Sequence, residues 1–311
     1  MSRRCDILVV GAGPAGLTAA IYARRAGRSV LVLERDTFGG QITYSPKLEN
    51  YPGFAEISGN ELAQRMLEQA MQLGADVDMD TVVSVEAGAQ GKRVIGENDV
   101  YEADAVIIAA GARHRRLHLP GEEARIGNGV SFCAVCDGAF FKGRTVALVG
   151  GGNTALQEAL LLSEICERVV IVQNLAFLTG EKRLAEALRE RKNVEIRFST
   201  VVTAYLGGET LTGVCLKNTE TGTETELPVD GVFLAVGTEP DNAPYAAVAA
   251  LDERGYLIAD EGCTTRTPGV FAAGDCRTKA FRQVATAIAD GAAAALSACR
   301  YLDEKEQGTS E

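Results

Sequence analysis

The chain has no tryptophan, only two histidines and an aromatic content of 6%. No apolar run reaches membrane-spanning length, and the opening DILVV breaks at Gly11-Ala12-Gly13-Pro14 without a cleavage-site pattern, so neither a membrane span nor a signal peptide is expected. Basic side chains are the minority, 31 against 42 acidic, and the net charge of -11 argues against a nucleic-acid-binding surface. Cysteine is too sparse for a disulfide framework. Six of the eight, Cys5, Cys166, Cys215, Cys263, Cys276 and Cys299, stand apart without metal-ligand spacing and read as small buried hydrophobes. Cys133 and Cys136 form a lone CxxC, which cannot complete a zinc site by itself, so no metal is expected and redox chemistry becomes the leading reading. These exclusions leave a soluble, cytoplasmic globular protein.

Glycine is plentiful, with 34 residues, and 46% of the 311 residues are hydrophobic, a length and composition that favour an α/β protein of two domains. CDILVVGAGPAGLTAAIYARRAGRSVLVLER reads as strand, glycine turn, helix and strand, and TVALVGGGNTALQEALLLSEICERVVIVQN repeats the plan with the spacing Gly11 to Glu34 matched by Gly150 to Gln173. The expected fold is therefore two Rossmann-like, three-layer dinucleotide-binding domains, the second inserted into the first. Turn chemistry after YEADAVIIAAG and VDGVFLAVG places the first domain at 1–113 and 244–311 and the second, carrying the CxxC, at 117–240. EKEQGTSE reads as a mobile polar tail. His114 and His118, with Arg113, Arg115 and Arg116, read as a solvated basic linker able to receive an acidic protein such as ferredoxin.

Each glycine of GAGPAG has its own task. Gly11 makes the tight turn, Gly13 lets the backbone approach a pyrophosphate at the helix N-terminus, and Gly16 lets helix and strand pack closely, while Glu34 at the next strand end would accept ribose hydroxyls. The second turn keeps Gly150, Gly152, Asn153, Thr154 and a small Ala155, but its strand ends in Gln173-Asn174-Leu175, with neither a carboxylate for a ribose nor an arginine for a 2′-phosphate. In SFCAVCDGAFF the thiols stand one turn apart. A helix start there would lower a thiol pKa, and Asp137 beside the second thiol suits a proton donor or acceptor as a dithiol is made and broken.

GAGPAG with Glu34, then FGGQI, LENYPG, CAVCDG, GGGNTA, VFAAGD and RQVATAIADG occur in the order found in low-molecular-weight thioredoxin reductases, which the chain resembles over nearly its whole length. The resemblance implies FAD as cofactor, thioredoxin as partner and a homodimer. It assigns Gly39, Gly40, Gln41 and Asn50, with Gly274, Asp275, Arg282, Gln283 and Val284, to the FAD site. It implies that Cys133 exchanges with the partner disulfide, Cys136 faces the flavin and Asp137 manages the proton. It also implies alternation between two domain orientations, with GTEP and LPGE as candidate hinges.

The departure from that family lies at Gln173-Asn174-Leu175-Ala176-Phe177, where NADPH-using members carry a His-Arg-Arg run and a further arginine. Lys182 and Arg183 could compensate only if the intervening loop folds back. Weak NADPH use, NADH, or reduced ferredoxin with no pyridine nucleotide are the possible electron sources, the intact glycine turn favouring a nucleotide. A flavin-dependent dithiol oxidase and a non-enzymatic flavin redox sensor are the other readings of the same fold.

Overall fold

The computed structural model describes residues 3–44, 48, 50–88, 91–132, 134–208 and 210–308. The chain divides into two compact units, Met1–Arg113 with Glu239–Glu311, and His114–Thr238. The first begins with β1 (Arg3–Val10), α1 (Pro14–Arg25) and β2 (Val30–Glu34). Along β1 and β2 alternate residues enter different cores: Ile7, Val9, Val30 and Val32 pack on the side of α1, and Leu8, Val10, Leu31 and Leu33 on the other. Burial on both faces explains why these strands read as continuous apolar runs rather than as alternating ones.

After α2 (Gly59–Gln72) come β3 (Asp76–Met79), β4 (Val82–Gly88), β5 (Gly91–Gly96) and β6 (Val100–Ile108). Ser58 caps α2, its hydroxyl accepting the Glu61 N–H at 3.1 Å. The strand order is β3-β2-β1-β6-β5-β4, parallel as far as β6 and antiparallel beyond it. Chain order and right-handed crossovers thus bring the ends of β1 and β2 to one edge of the sheet, where the glycine turn opens α1.

The chain leaves through β7 (Arg113–His114) and builds the second unit from α3 (Glu122–Arg125), β8 (Val130–Ser131), α4 (Ala134–Asp137), β9 (Thr145–Val149), α5 (Asn153–Ile165), β10 (Arg168–Val172), α6 (Lys182–Arg189) and β11 (Val194–Arg197). A meander of β12 (Thr200–Leu206), β13 (Gly213–Asn218) and β14 (Glu224–Pro228) precedes β15 (Gly231–Leu234). The parallel sheet runs β11-β10-β9-β15-β8, with the meander as a separate antiparallel sheet. Ala147, Val149, Val170 and Val172 pack towards the meander residues Val202, Val214 and Leu227, while Val146, Leu148, Val169 and Ile171 pack towards Leu156, Ala159 and Leu162 of α5. That sandwich of helix, parallel sheet and meander is the three-layer arrangement.

The chain returns through β16 (Thr238–Glu239), adds β17 (Val270–Ala272) parallel to the end of β6, and closes with α7 (Val284–Gly308). No described helix is long and apolar enough to cross a membrane.

One sequence expectation needs correction. EKEQ is not a loose tail but the last turns of α7, because Arg28 pairs with both Asp303 and Glu306, and Lys305 reaches Asp104 at 2.8 Å. The run at 113–118 is largely solvated, with Arg113, Arg115, Arg116 and His118 exposed and only His114 and Leu117 half-buried. His114 stacks on Phe132 at 5.4 Å with burial pulling its imidazole below the usual range, Arg116 pairs with Glu123 and Arg113 with Asp241. LPGE lies within the second unit, where the Glu122 carboxylate accepts both the Leu117 N–H and the Tyr205 hydroxyl.

Candidate functional site

In the first unit, backbone sterics explain where glycine stands. Gly11 has φ of 98°, and a Cβ there would fall 2.4 Å from the Ala109 carbonyl oxygen, while a Cβ on Gly16 would fall 1.8 Å from that of Gly11. Gly13 differs. Its φ of -74° suits any residue, and a Cβ would meet nothing nearer than the Gly39 carbonyl oxygen at 4.0 Å. The protein therefore leaves open the space above Gly13, at the N-terminus of α1. Gly39 donates its N–H to Ala12 O at 2.8 Å, and a Cβ on Gly40 would lie 3.4 Å from Gly13 Cα, so two stretches of glycine backbone converge on this space.

Glu34 is buried, and its carboxylate already works for the turn: Oε2 accepts the Ala12 N–H at 2.7 Å, and Oε1 accepts those of Arg35 and Asp36 at 3.0 and 2.9 Å. Lone pairs remain on Oε2 for a hydroxyl, so this residue can bind a ribose and hold the loop together. Gln41 lies exposed, and Asn50 donates to the Gln283 side chain at 3.1 Å.

At the end of β17, Gly274 donates its N–H to Asp290 at 3.0 Å, and Asp290 is held in turn by Arg277 at 3.1 Å and Lys279 at 2.8 Å. This ion cluster was not legible in the sequence. It fixes the backbone of Gly274-Asp275. Asp275 Oδ1 is buried with no hydrogen-bond partner among the described residues, and burial pushes its carboxyl up against the opposing pull of Lys279 and Arg282. Arg282 lies 3.9 Å from the centre of the Tyr256 ring and donates to Asp275 O at 3.3 Å; Val284 opens α7. A glycine-lined opening at a helix N-terminus suits a pyrophosphate, and an orphaned buried carboxylate oxygen suits a hydroxyl. These residues fit FAD.

The second unit repeats the turn with one difference. Gly150 has φ of 134°, and its Cβ would fall 2.3 Å from Ala235 O and 3.3 Å from the Ala155 methyl, which explains the small residue at the third position. Gly152, like Gly13, is open, with a Cβ meeting only Thr179 Oγ1 at 3.7 Å. Thr154 is exposed on the first turn of α5, but the Asn153 side chain is occupied, exchanging two hydrogen bonds with Glu181 at 2.7 and 3.1 Å.

Gln173 turns inward. It is 3% exposed, its Nε2 donates to Phe177 O at 2.9 Å, and a Cβ on Gly151 would strike its amide at 2.5 Å. Gln173 thus packs against the second turn, as Glu34 does against the first, but one of its two amide N–H donors is given to its own loop. The loop does fold back, since Thr179 and Gly180 donate to Gly151 O at 2.8 and 3.0 Å. Asn174, Leu175, Ala176 and Phe177 stay exposed. Arg197, in register with Val172, is a cation that the sequence reading missed, and it is bound to Glu195 at 2.7 Å. Lys182 and Arg183 are exposed and have no ion-pair partner among the described residues.

Cys133 lies outside the described residues, as does the side chain of Cys136, whose backbone belongs to α4. Because α4 is a single turn, a helix dipole contributes only through that turn's own N–H groups. Asp137 accepts the Ser131 hydroxyl at 2.6 Å. Two residues before Cys133, Ser131 carried no signal of this role in the sequence.

The sequence profile of the pyridine nucleotide-disulphide oxidoreductases matches residues 5–291. Thioredoxin reductase of Listeria innocua is 41% identical over 303 residues, 97% of this chain and 95% of that one. The crystal structure of Lactococcus lactis thioredoxin reductase in its FR conformation superimposes with a TM-score of 0.90 at 37% identity, covering 96% and 99% of the two chains. A ferredoxin-flavin thioredoxin reductase from Clostridium acetobutylicum gives 0.54 at 30% identity, covering 98% and 100%. The fold and its paired glycine turns are those of a dinucleotide-binding flavoprotein. The chain belongs to the pyridine nucleotide-disulphide oxidoreductase family and, within it, to the thioredoxin reductases.

Proposed function

We propose that this chain is an FAD-dependent thioredoxin-disulfide reductase that draws electrons from a pyridine nucleotide with little preference for NADPH over NADH. The observation that carries the donor assignment is the second glycine turn, open above Gly152 but bordered at the strand end by a buried Gln173 and exposed, uncharged Asn174 and Leu175. Such a turn can seat a pyrophosphate, and the strand end beside it offers no cation to clamp an additional phosphate.

In this reading FAD sits in the first unit, with its pyrophosphate over Gly13 and Gly39-Gly40, a ribose at Glu34, and its ribityl and ring contacts from Gln41, Asn50, Gly274, Asp275, Arg282, Gln283 and Val284. When bound there, FAD supplies the two-electron link between the nucleotide and the dithiol. Gly150, Gly152, Thr154 and Ala155 receive the nucleotide, and Asn153 acts by pinning the Glu181 loop. Cys133 exchanges with thioredoxin, Cys136 faces the flavin, and Asp137, oriented by Ser131, carries the proton. The homodimer and the cytoplasmic location implied by the resemblance belong to the same proposal. Ferredoxin is disfavoured, because Arg113 and Arg116 of the basic run are already ion-paired and because the thioredoxin reductase relatives are the more similar.

The direct test is steady-state reduction of thioredoxin disulfide by the purified holoenzyme with NADPH or NADH. No turnover with either nucleotide refutes the assignment. A second expectation concerns the cofactor. Gly13→Ala places a methyl in the space the protein leaves open, so the variant should fold with unchanged helix content and thermal midpoint yet lose its yellow colour. Gly16→Ala should instead fail to fold, since its methyl meets backbone. Full FAD content in a folded Gly13→Ala variant would place the pyrophosphate elsewhere.

A further inference from the structure

Asp290, the seventh residue of α7, is not among the residues assigned to the cofactor. Its side chain is 14% exposed and meets three donors: Oδ2 accepts the Gly274 N–H at 3.0 Å and the Lys279 ammonium at 2.8 Å, and Oδ1 accepts from the Arg277 guanidinium at 3.1 Å. The two cations are as deeply covered, Arg277 at 11% and Lys279 at 9%. Removing the carboxylate would leave both of them buried and unpaired, so this cluster holds its geometry more firmly than a surface pair does. Arg277 is tethered further. It gives Nη2 to the carbonyl oxygens of Ala259 and Asp260 at 3.0 and 2.8 Å, and its own carbonyl oxygen accepts from Arg282 at 3.3 Å. Arg282 in turn donates to Asp275 O, so the contacts run unbroken from α7 to both sides of Asp275.

The next residue of α7 is pressed against the other half of the site. A Cβ on Gly291 would fall 2.1 Å from the Ala15 carbonyl oxygen, in the first turn of α1, and a Cβ on Gly274 would fall 2.8 Å from the Ala15 methyl. Consecutive residues thus fix α7 to the Gly274-Asp275 turn and to the start of α1.

We infer that Asp290 is a positioning residue for FAD: by holding the Gly274 N–H together with Arg277 and Lys279, it aims the unpartnered Oδ1 of Asp275 at a hydroxyl of the ribityl chain. The inference rests on the assignment of Gly274 and Asp275 to the FAD site. A recognition group is only as well placed as the contacts that support it, and here the support is the Asp290 carboxylate. The adenosine side is held differently, by the Glu34 carboxylate on the N–H groups of Ala12, Arg35 and Asp36. Loss of Asp290 should therefore act on one end of the cofactor only.

The test is equilibrium binding of FAD and, separately, of ADP to the full chain freed of flavin, for the wild type and its variants. ADP carries the pyrophosphate and adenosine but neither the ribityl chain nor the ring. Asp290→Ala should weaken FAD by roughly tenfold to a hundredfold, the loss of a charge-assisted contact, and leave ADP within about threefold of the wild type. Asp290→Asn keeps an acceptor for the Gly274 N–H and should bind FAD more tightly than Asp290→Ala. The inference is overturned if Asp290→Ala binds FAD as the wild type does, if it loses FAD and ADP in equal measure, or if Asp290→Asn is no better than Asp290→Ala. Should Asp290→Ala not fold, Asp290→Leu with Lys279→Met removes one charge of each sign and is judged by the same comparison of FAD with ADP. A wild type that takes up no FAD would sink the assignment of the site itself, whereas a wild type that binds FAD beside an unaffected Asp290→Ala sinks this inference alone.

Discussion

Serine at either Cys133 or Cys136 is expected to lower thioredoxin reduction by about a thousandfold or more, with different trapped species in the two variants. The chemistry requires both sulfurs. In the proposed roles, the Cys133 thiolate attacks the thioredoxin disulfide, forming one mixed S–S bond and expelling one thioredoxin sulfur as thiolate. The Cys136 thiolate then attacks the Cys133 sulfur, closing the intramolecular disulfide and releasing the second thioredoxin thiolate. Cys136→Ser can complete only the first exchange and should accumulate a mixed disulfide with thioredoxin, visible on non-reducing gels. Cys133→Ser should not. Four of the six cysteines outside the pair are poor substitutes, since burial pushes the thiols of Cys5 and Cys276 up to about 12 and those of Cys166 and Cys263 up to about 11. Wild-type turnover by either serine variant would show that electrons bypass the pair.

The second large effect is a gain. Asn174→Arg with Leu175→Arg should tighten NADPH by roughly a hundredfold to ten-thousandfold and leave NADH nearly unchanged, because each charge-assisted phosphate contact contributes about 1.5 to 3 kcal/mol. The backbone at this point is fixed by the Ser199 N–H bond to Leu175 O at 3.0 Å, and the Leu175 side chain is 40% exposed, so longer side chains can extend without disturbing the core. Gly152→Ala, which the fold tolerates, should weaken both nucleotides together. If the two arginines bring no gain while Gly152→Ala still acts, the 2′-phosphate lies away from the strand end, nearer Lys182 and Arg183.

How much could be read beforehand depended on whether the physical cause was local. Gly11, Gly16 and Gly150 were legible because a positive φ or a Cβ-to-backbone distance near 2 Å restricts the residue whatever lies beyond it. The repeat of strand, turn, helix and strand was legible because both faces of the sheets are buried, which imposes unbroken apolar runs. Contacts between distant residues were not. Asp290 beneath Gly274, Tyr256 under Arg282 and Phe132 on His114 each join segments that only the fold brings together. The misread tail has the same origin. EKEQ is polar by composition, yet Arg28, far away in the chain, holds it in the helix. Gln173 was correctly seen to lack charge, but its inward turn and its bond to Phe177 O could not be read from its identity.

A pyridine-nucleotide-driven thioredoxin reductase without a 2′-phosphate clamp at the strand end is tested most directly by anaerobic stopped-flow bleaching of the bound flavin with NADPH, NADH and reduced ferredoxin in parallel, followed by addition of thioredoxin disulfide. The account predicts bleaching by both nucleotides at weak and similar apparent affinities, no advantage for ferredoxin, and reoxidation of the flavin when thioredoxin disulfide is added. Tight, fast bleaching by NADPH alone, or bleaching by ferredoxin alone, would contradict it.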